Sequence, residues 1–129
     1  MIGREGMLQK NQLPVEVQKM HFDLPNAYYK VFDLGLTNLT PWRFLEAEEC
    51  QDLFSVLRQL YSGNVLLPFA RRMDNDDVAC LVVQSQEYTT SSVLIVHLFA
   101  SSGDEVDHIH ETFWDWFRAA VDEMIDAYA

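Results

Sequence analysis

The chain has 129 residues, 49 % of them hydrophobic and 12 % aromatic, enough to fill the core of one domain and to argue against global disorder. Twenty acidic against nine basic residues give a formal net charge of −11, which repels nucleic-acid phosphates and anionic lipid and attracts basic partners. Solubility alone is an equally simple reading of that charge. No apolar run approaches the roughly 20 residues needed to cross a bilayer, and Met1 to Met7 lacks the apolar stretch of a secretory signal, so the expectation is a cytoplasmic protein.

Residues 1–23 show weak periodicity and mixed charge and read as an N-terminal arm or edge element. Leu24-Pro25-Asn26 then opens a compact helix, with proline placed where its missing N–H matters least. Tyr28, Val31 and Phe32 share one face of it, and Gly35 is its stop. Pro41 to Leu45 reads as a short extended piece with Trp42 and Phe44 on one side.

From Glu46 the period changes. Cys50, Leu53, Phe54, Leu57, Leu60 and Tyr61 recur at three- and four-residue steps, which predicts an amphipathic helix. Glu46, Glu48 and Glu49 fall in its first turn, where the helix dipole favours negative charge, and Gly63-Asn64 ends it.

Three apolar runs follow, Val65 to Ala70, Val78 to Val83 and Val93 to Phe99. The first two flank the turn-forming stretch from Arg71 to Asp77, and a polar loop from Gln84 to Ser92 precedes the third. This order predicts an antiparallel meander. Ser101 to Glu105 reads as a turn. The last element is a helix, opened by Thr112 with Asp115 in a capping-box pattern, whose stripe is Phe113, Trp116, Phe117, Ala120, Val121, Met124 and Tyr128. The expected fold class is therefore α+β, a single domain with a mostly antiparallel sheet, a meander of three or more strands, and helices packed around it.

The chemistry-bearing residues do not assemble into a known motif. Asp74, Asp76 and Asp77 invite a calcium reading, but an EF-hand loop begun at Asp74 needs glycine and glutamate where Ala79 and Ser85 stand. An acidic hairpin turn with Arg71 and Arg72 as local ion-pair partners is simpler. His108 and His110, with Asp104, Glu105 or Asp107 nearby, offer metal ligands, yet histidines two apart suit a strand and the stretch reads as a helix entrance. His97 reads as a core-edge residue bonded to a neighbour. No Gly-x-Ser-x-Gly elbow, dinucleotide fingerprint or phosphate-binding glycine loop occurs. Cys50 and Cys80 belong to no Cys-x-x-Cys pair and read as buried free thiols. The expectation is no catalytic residue, no resident metal and no cofactor. Trp114 lies off the last helix's stripe and has two readings, packing under the Gln84–Ser92 loop or contacting a partner.

Over roughly Leu24 to Tyr128 the chain resembles the SMI1/KNR4 (SUKH) superfamily. The residues that carry the likeness are Leu24-Pro25 with Tyr28, Trp42-Arg43-Phe44-Leu45 before the acidic helix start, Leu67-Pro68-Phe69-Ala70 before Asp74-Asn75-Asp76-Asp77, and Thr112-Phe113-Trp114-Asp115-Trp116-Phe117. Asp33-Leu34-Gly35 stands where family members often carry Asn-Gly. Residues 24–129 are thus expected to form an SMI1/KNR4-like domain. The resemblance implies a non-enzymatic binding protein, since bacterial members commonly serve as immunity proteins that neutralise toxins, many of them nucleases, by direct binding. Fungal members act as regulatory interaction modules, which is the alternative. The expected partner is a protein, a basic toxin domain in the first reading, with no direct contact to nucleic acid or membrane and with the oligomeric state open. The contacts expected on charge are Glu46, Glu48, Glu49, Asp74, Asp76, Asp77, Asp104, Glu105 and Asp107, with Trp114 as an aromatic contact. The whole expectation is a hydrophobic platform with a negative exterior and no cleft of converging ionisable side chains.

Overall fold

A computed structural model of the chain describes residues 6–98 and 106–128. A 3-10 turn at Lys10–Gln12 leads to α1 (Val15–Lys19), α2 (Asn26–Asp33), β1 (Trp42–Phe44), α3 (Ala47–Leu60), β2 (Val65–Arg72), β3 (Asp77–Gln84), β4 (Val93–His97), β5 (Val106–His110) and α4 (Phe113–Tyr128). The five strands form one antiparallel sheet whose spatial order is the chain order, β1-β2-β3-β4-β5. The single α+β domain with its meander is as the sequence predicts.

Both faces of the sheet are covered, and this explains why β2, β3 and β4 read as continuous apolar runs rather than alternating ones. On one face Trp42, Leu67, Phe69, Ala79, Leu81, Val93 and Ile95 meet Val17 of α1, Tyr28, Val31 and Phe32 of α2, and Phe113, Trp116, Phe117 and Ala120 of α4. On the other, Leu66, Val78, Cys80, Val82, Leu94 and Val96 pack with Leu53 and Leu57 of α3, with Tyr61 just beyond it and with Tyr88 of the β3–β4 loop. The first cluster is dominated by aromatic edges, with Phe69 and Trp116 ring centres 4.9 Å apart and Trp42 and Trp116 5.6 Å apart.

Three expectations are corrected here, and two others fall on residues that are not described. Residues from the segment read as an arm, Met7, Leu8, Leu13 and Val17, are buried in the first cluster. Their spacing follows two short turns rather than one helix, so no single period shows. His108 and His110 lie in a fifth strand and not at a helix entrance. Strand β4 ends at His97, and Phe99, placed in the third run, lies outside the described residues, as do Ser101 to Glu105 of the expected turn. Leu60 and Tyr128, assigned to buried stripes, are exposed at the ends of their helices.

Both cysteines are free and buried. The Cys50 thiol donates to Pro68 O at 3.3 Å, and burial pushes its pKa up to about 12. Burial pushes the Cys80 thiol up as well, so neither is a ready nucleophile.

Candidate functional site

The strand register brings side chains from all five strands to one end of the sheet, on the face that α4 covers. Trp42 pairs with Arg72, Asp77 with His97, Ile95 with His108 and Val93 with His110. Directly opposed residues of an antiparallel pair share a face. Trp42, Arg72, Asp77, Ile95, His108 and His110 therefore line a cleft of about 270 Å³, walled by Ala119 and Glu123 of α4.

Arg72 is the central charge. Its Nε and Nη2 donate to the Asp74 carboxylate at 2.8 and 2.9 Å, and its Nη1 is paired with Glu123. The guanidinium carbon lies 5.7 Å from the centre of the Trp42 ring, within cation–π reach. The hydrogen bond from Arg72 lowers the pKa of Asp74, and the same bond raises that of Arg72. The buried Trp42 Nε1–H has no acceptor among the described residues. A second depression, lined by Pro41, Arg72, Asp74, Glu123, Asp126 and Ala127, shares Arg72 and Glu123 with the cleft. The combined groove carries four carboxylates, Asp74, Asp77, Glu123 and Asp126, around one guanidinium.

Asp77 is only 7 % exposed, and its carboxylate accepts from His97 Nδ1 at 2.6 Å across the β3–β4 register pair. This agrees with the reading of His97 as a core-edge residue bonded to a neighbour. At the far side of the cleft the rings of His108 and His110 stand 4.5 Å apart with their planes at 57°. Burial, then the neighbouring His108, lowers the pKa of His110, and Asp115 opposes this weakly. The expectation of a platform without a cleft of converging ionisable side chains is thus corrected, because the strand register gathers Arg72, Asp77, His108 and His110 under Glu123. The charges of the cleft are largely spent on each other, Arg72 on Asp74 and Glu123 and Asp77 on His97. Among the described residues no three or more His, Cys, Asp or Glu side chains converge to hold a metal ion.

The residues picked out on charge do not gather in one place. Glu46 and Glu48 border a shallow depression with Met7, Gln9 and Gln12 at the start of α3. Glu49 turns away and makes a double ion pair with Arg43, both contacts 2.7 Å. Asp76, in the left-handed region at φ 63°, accepts from Arg71 at 2.8 Å, as Arg71 and Arg72 were expected to pair locally. The turn's backbone is capped by Asn75, whose side-chain oxygen accepts from the Asp77 N–H at 3.0 Å. Asp77 itself belongs to the cleft and not to the turn's outer surface. Asp104 and Glu105 lie outside the described residues, as does the side chain of Asp107, whose backbone is in β5.

Trp114 packs beside the β3–β4 loop, the first of its two readings. It lines an apolar cleft of about 230 Å³ with Phe22, Pro25, Thr90, Ser91 and Phe113, beside the β3–β4 loop, and remains 39 % exposed. Its ring meets those of Phe113 and Phe117 edge-on.

Glu123 and Asp126 were not singled out from the sequence. The signal for Glu123 is its step of seven from Trp116 and three from Ala120, which sets a carboxylate in line with the buried stripe of α4. Comparison of the chain with family models, curated proteins and solved structures finds no match in any of the three.

Proposed function

We propose that this is a non-enzymatic binding protein that captures a basic protein partner, and that the partner is a toxin domain, as in the immunity proteins of the SMI1/KNR4 superfamily that the sequence resembles. The observation that carries this reading is the groove of Asp74, Asp77, Glu123 and Asp126 around Arg72 on a chain of net charge −11. Surplus carboxylate at a concave site attracts a cationic surface over several ångströms and speeds encounter. Arg72, braced by Asp74 and Glu123 and resting on Trp42, supplies a rigid, preorganised floor for such a contact. The exposed ring of Trp114 and the acidic start of α3 offer further contact points around the same molecule.

The test is capture of basic toxin domains encoded beside this gene by the purified full chain, with the dissociation constant measured at low and at physiological salt. Tight binding that weakens at least tenfold between about 50 and 300 mM salt, with protection against the toxin, is expected from a charge-steered interface. Binding without protection, to a partner that is not toxic, moves the assignment to the regulatory module. Failure to bind any such domain overturns the reading.

A further inference from the structure

The His108–His110 pair is left unused by this function, and its geometry points to a ligand of its own. Both rings project from one face of β5 into the same cleft, with centres 4.5 Å apart and planes at 57°, so they are neighbours without being stacked. A metal–nitrogen bond of about 2.0 Å and a ring radius of about 1.1 Å place each imidazole centre about 3.2 Å from a shared ion. Two rings on adjacent corners of a square then lie about 4.5 Å apart, and two rings on a tetrahedron about 5.2 Å apart. The observed separation of 4.5 Å is short enough for both rings to reach one shared ion. Arg72, the guanidinium that lines the same cleft, is paired with Asp74 and Glu123, so its charge is largely neutralised there.

We propose that His108 and His110 together chelate one divalent transition-metal ion, copper(II) before nickel(II) by the general affinity order of nitrogen ligands. The described residues supply no third ligand, so water completes the coordination, and the site is an exchangeable one rather than a closed structural centre. The site shares its cleft with the groove of the proposed function but needs no partner, and it is tested on the chain alone.

The experiment titrates the untagged full chain with copper(II) chloride in a non-coordinating buffer at pH 7.5, followed by calorimetry and by electron paramagnetic resonance. The expected result is one ion bound per chain with a spectrum of two coordinated imidazole nitrogens. His108→Gln and His110→Gln should each weaken binding at least tenfold, while His21→Gln, remote from the cleft, leaves it unchanged. Ring-proton signals of the native chain give a second readout that needs no variant, because copper(II) should first broaden those of His108 and His110. Unchanged affinity in both cleft variants, equal loss in His21→Gln, or first broadening of another histidine overturns the proposal.

Discussion

Glu49 is held by Arg43 through two hydrogen bonds of 2.7 Å, and both side chains keep about a third or more of their surface in water. The arginine's hydrogen bonds lower the pKa of Glu49, outweighing the opposing effect of partial burial. A carboxylate whose pKa falls on folding contributes stability above its ordinary value of 4.5 and loses that contribution as the pH drops through the lowered one. Solvent screening limits the pair to about 1 kcal/mol or less. Glu49→Gln is therefore expected to lower stability by up to about 1 kcal/mol at pH 7, as read from urea denaturation, and the gap to the parent should close below the ordinary glutamate pKa. Single residues were the hardest things to read from the sequence. Glu49 looked like one more exposed acid of a helix start, and only the fold brings Arg43 of β1 beside it. Asp77 looked like part of a solvated turn, yet its pairing with His97 depends on a strand register that composition does not reveal.

Among the elements, those with chemical end signals were legible and the one without them was not. Helix α2 starts after Pro25 and closes as a Schellman turn, in which Leu36 N–H donates to Val31 O and Gly35 N–H to Phe32 O, both at 3.0 Å. Gly35 sits at φ +70° with open space around its Cα. Gly35→Ala meets no neighbour there, so its cost is the backbone conformation alone, about 1 kcal/mol, measurable as a lowered denaturation midpoint with unchanged slope. Helix α4 likewise announces itself, with Thr112 Oγ1 accepting from the Asp115 N–H at 3.2 Å and donating back to its carboxylate at 3.0 Å. Strand β5 carries no such mark, and its pattern is inverted. His108 and His110 face the α4 side, while Ile109 lies opposite and is half exposed, so the usual rule of apolar inward and polar outward points the wrong way. An edge strand that lends its inner face to a polar cleft gives no alternation signal.

For the molecule as a whole, residues 7–20 are a working part of the core. Leu8, Leu13 and Val17 are completely or almost completely buried, and the buried Tyr28 hydroxyl accepts from the Leu8 N–H at 2.9 Å. Arg58 of α3 grips Glu16 through contacts of 2.8 and 2.9 Å, and Gln51 donates to Gln12 O at 2.7 Å, tying the segment to α3. Each large apolar side chain lost here removes about 1.5–3 kcal/mol, and three such losses approach the whole 5–15 kcal/mol that holds a typical domain folded. A chain begun at Leu24 is therefore expected to lose its cooperative thermal transition by circular dichroism, whereas the full chain shows one. The domain boundary near Leu24 was drawn from weak periodicity, and irregular turns that bury one residue at a time leave little else to read.

Because the sheet lists its strands in the order the ribosome makes them, each pairing needs only the strand before it. The β2–β3 hairpin closes over residues 73–76, the shortest gap between neighbouring strands, while β1 must wait until the whole of α3 has folded back. Pulse-labelled hydrogen exchange during refolding should find β2 and β3 amides protected first and those of β1 last. The cleft, which borrows from every strand, would then be the final part of the protein to acquire its shape.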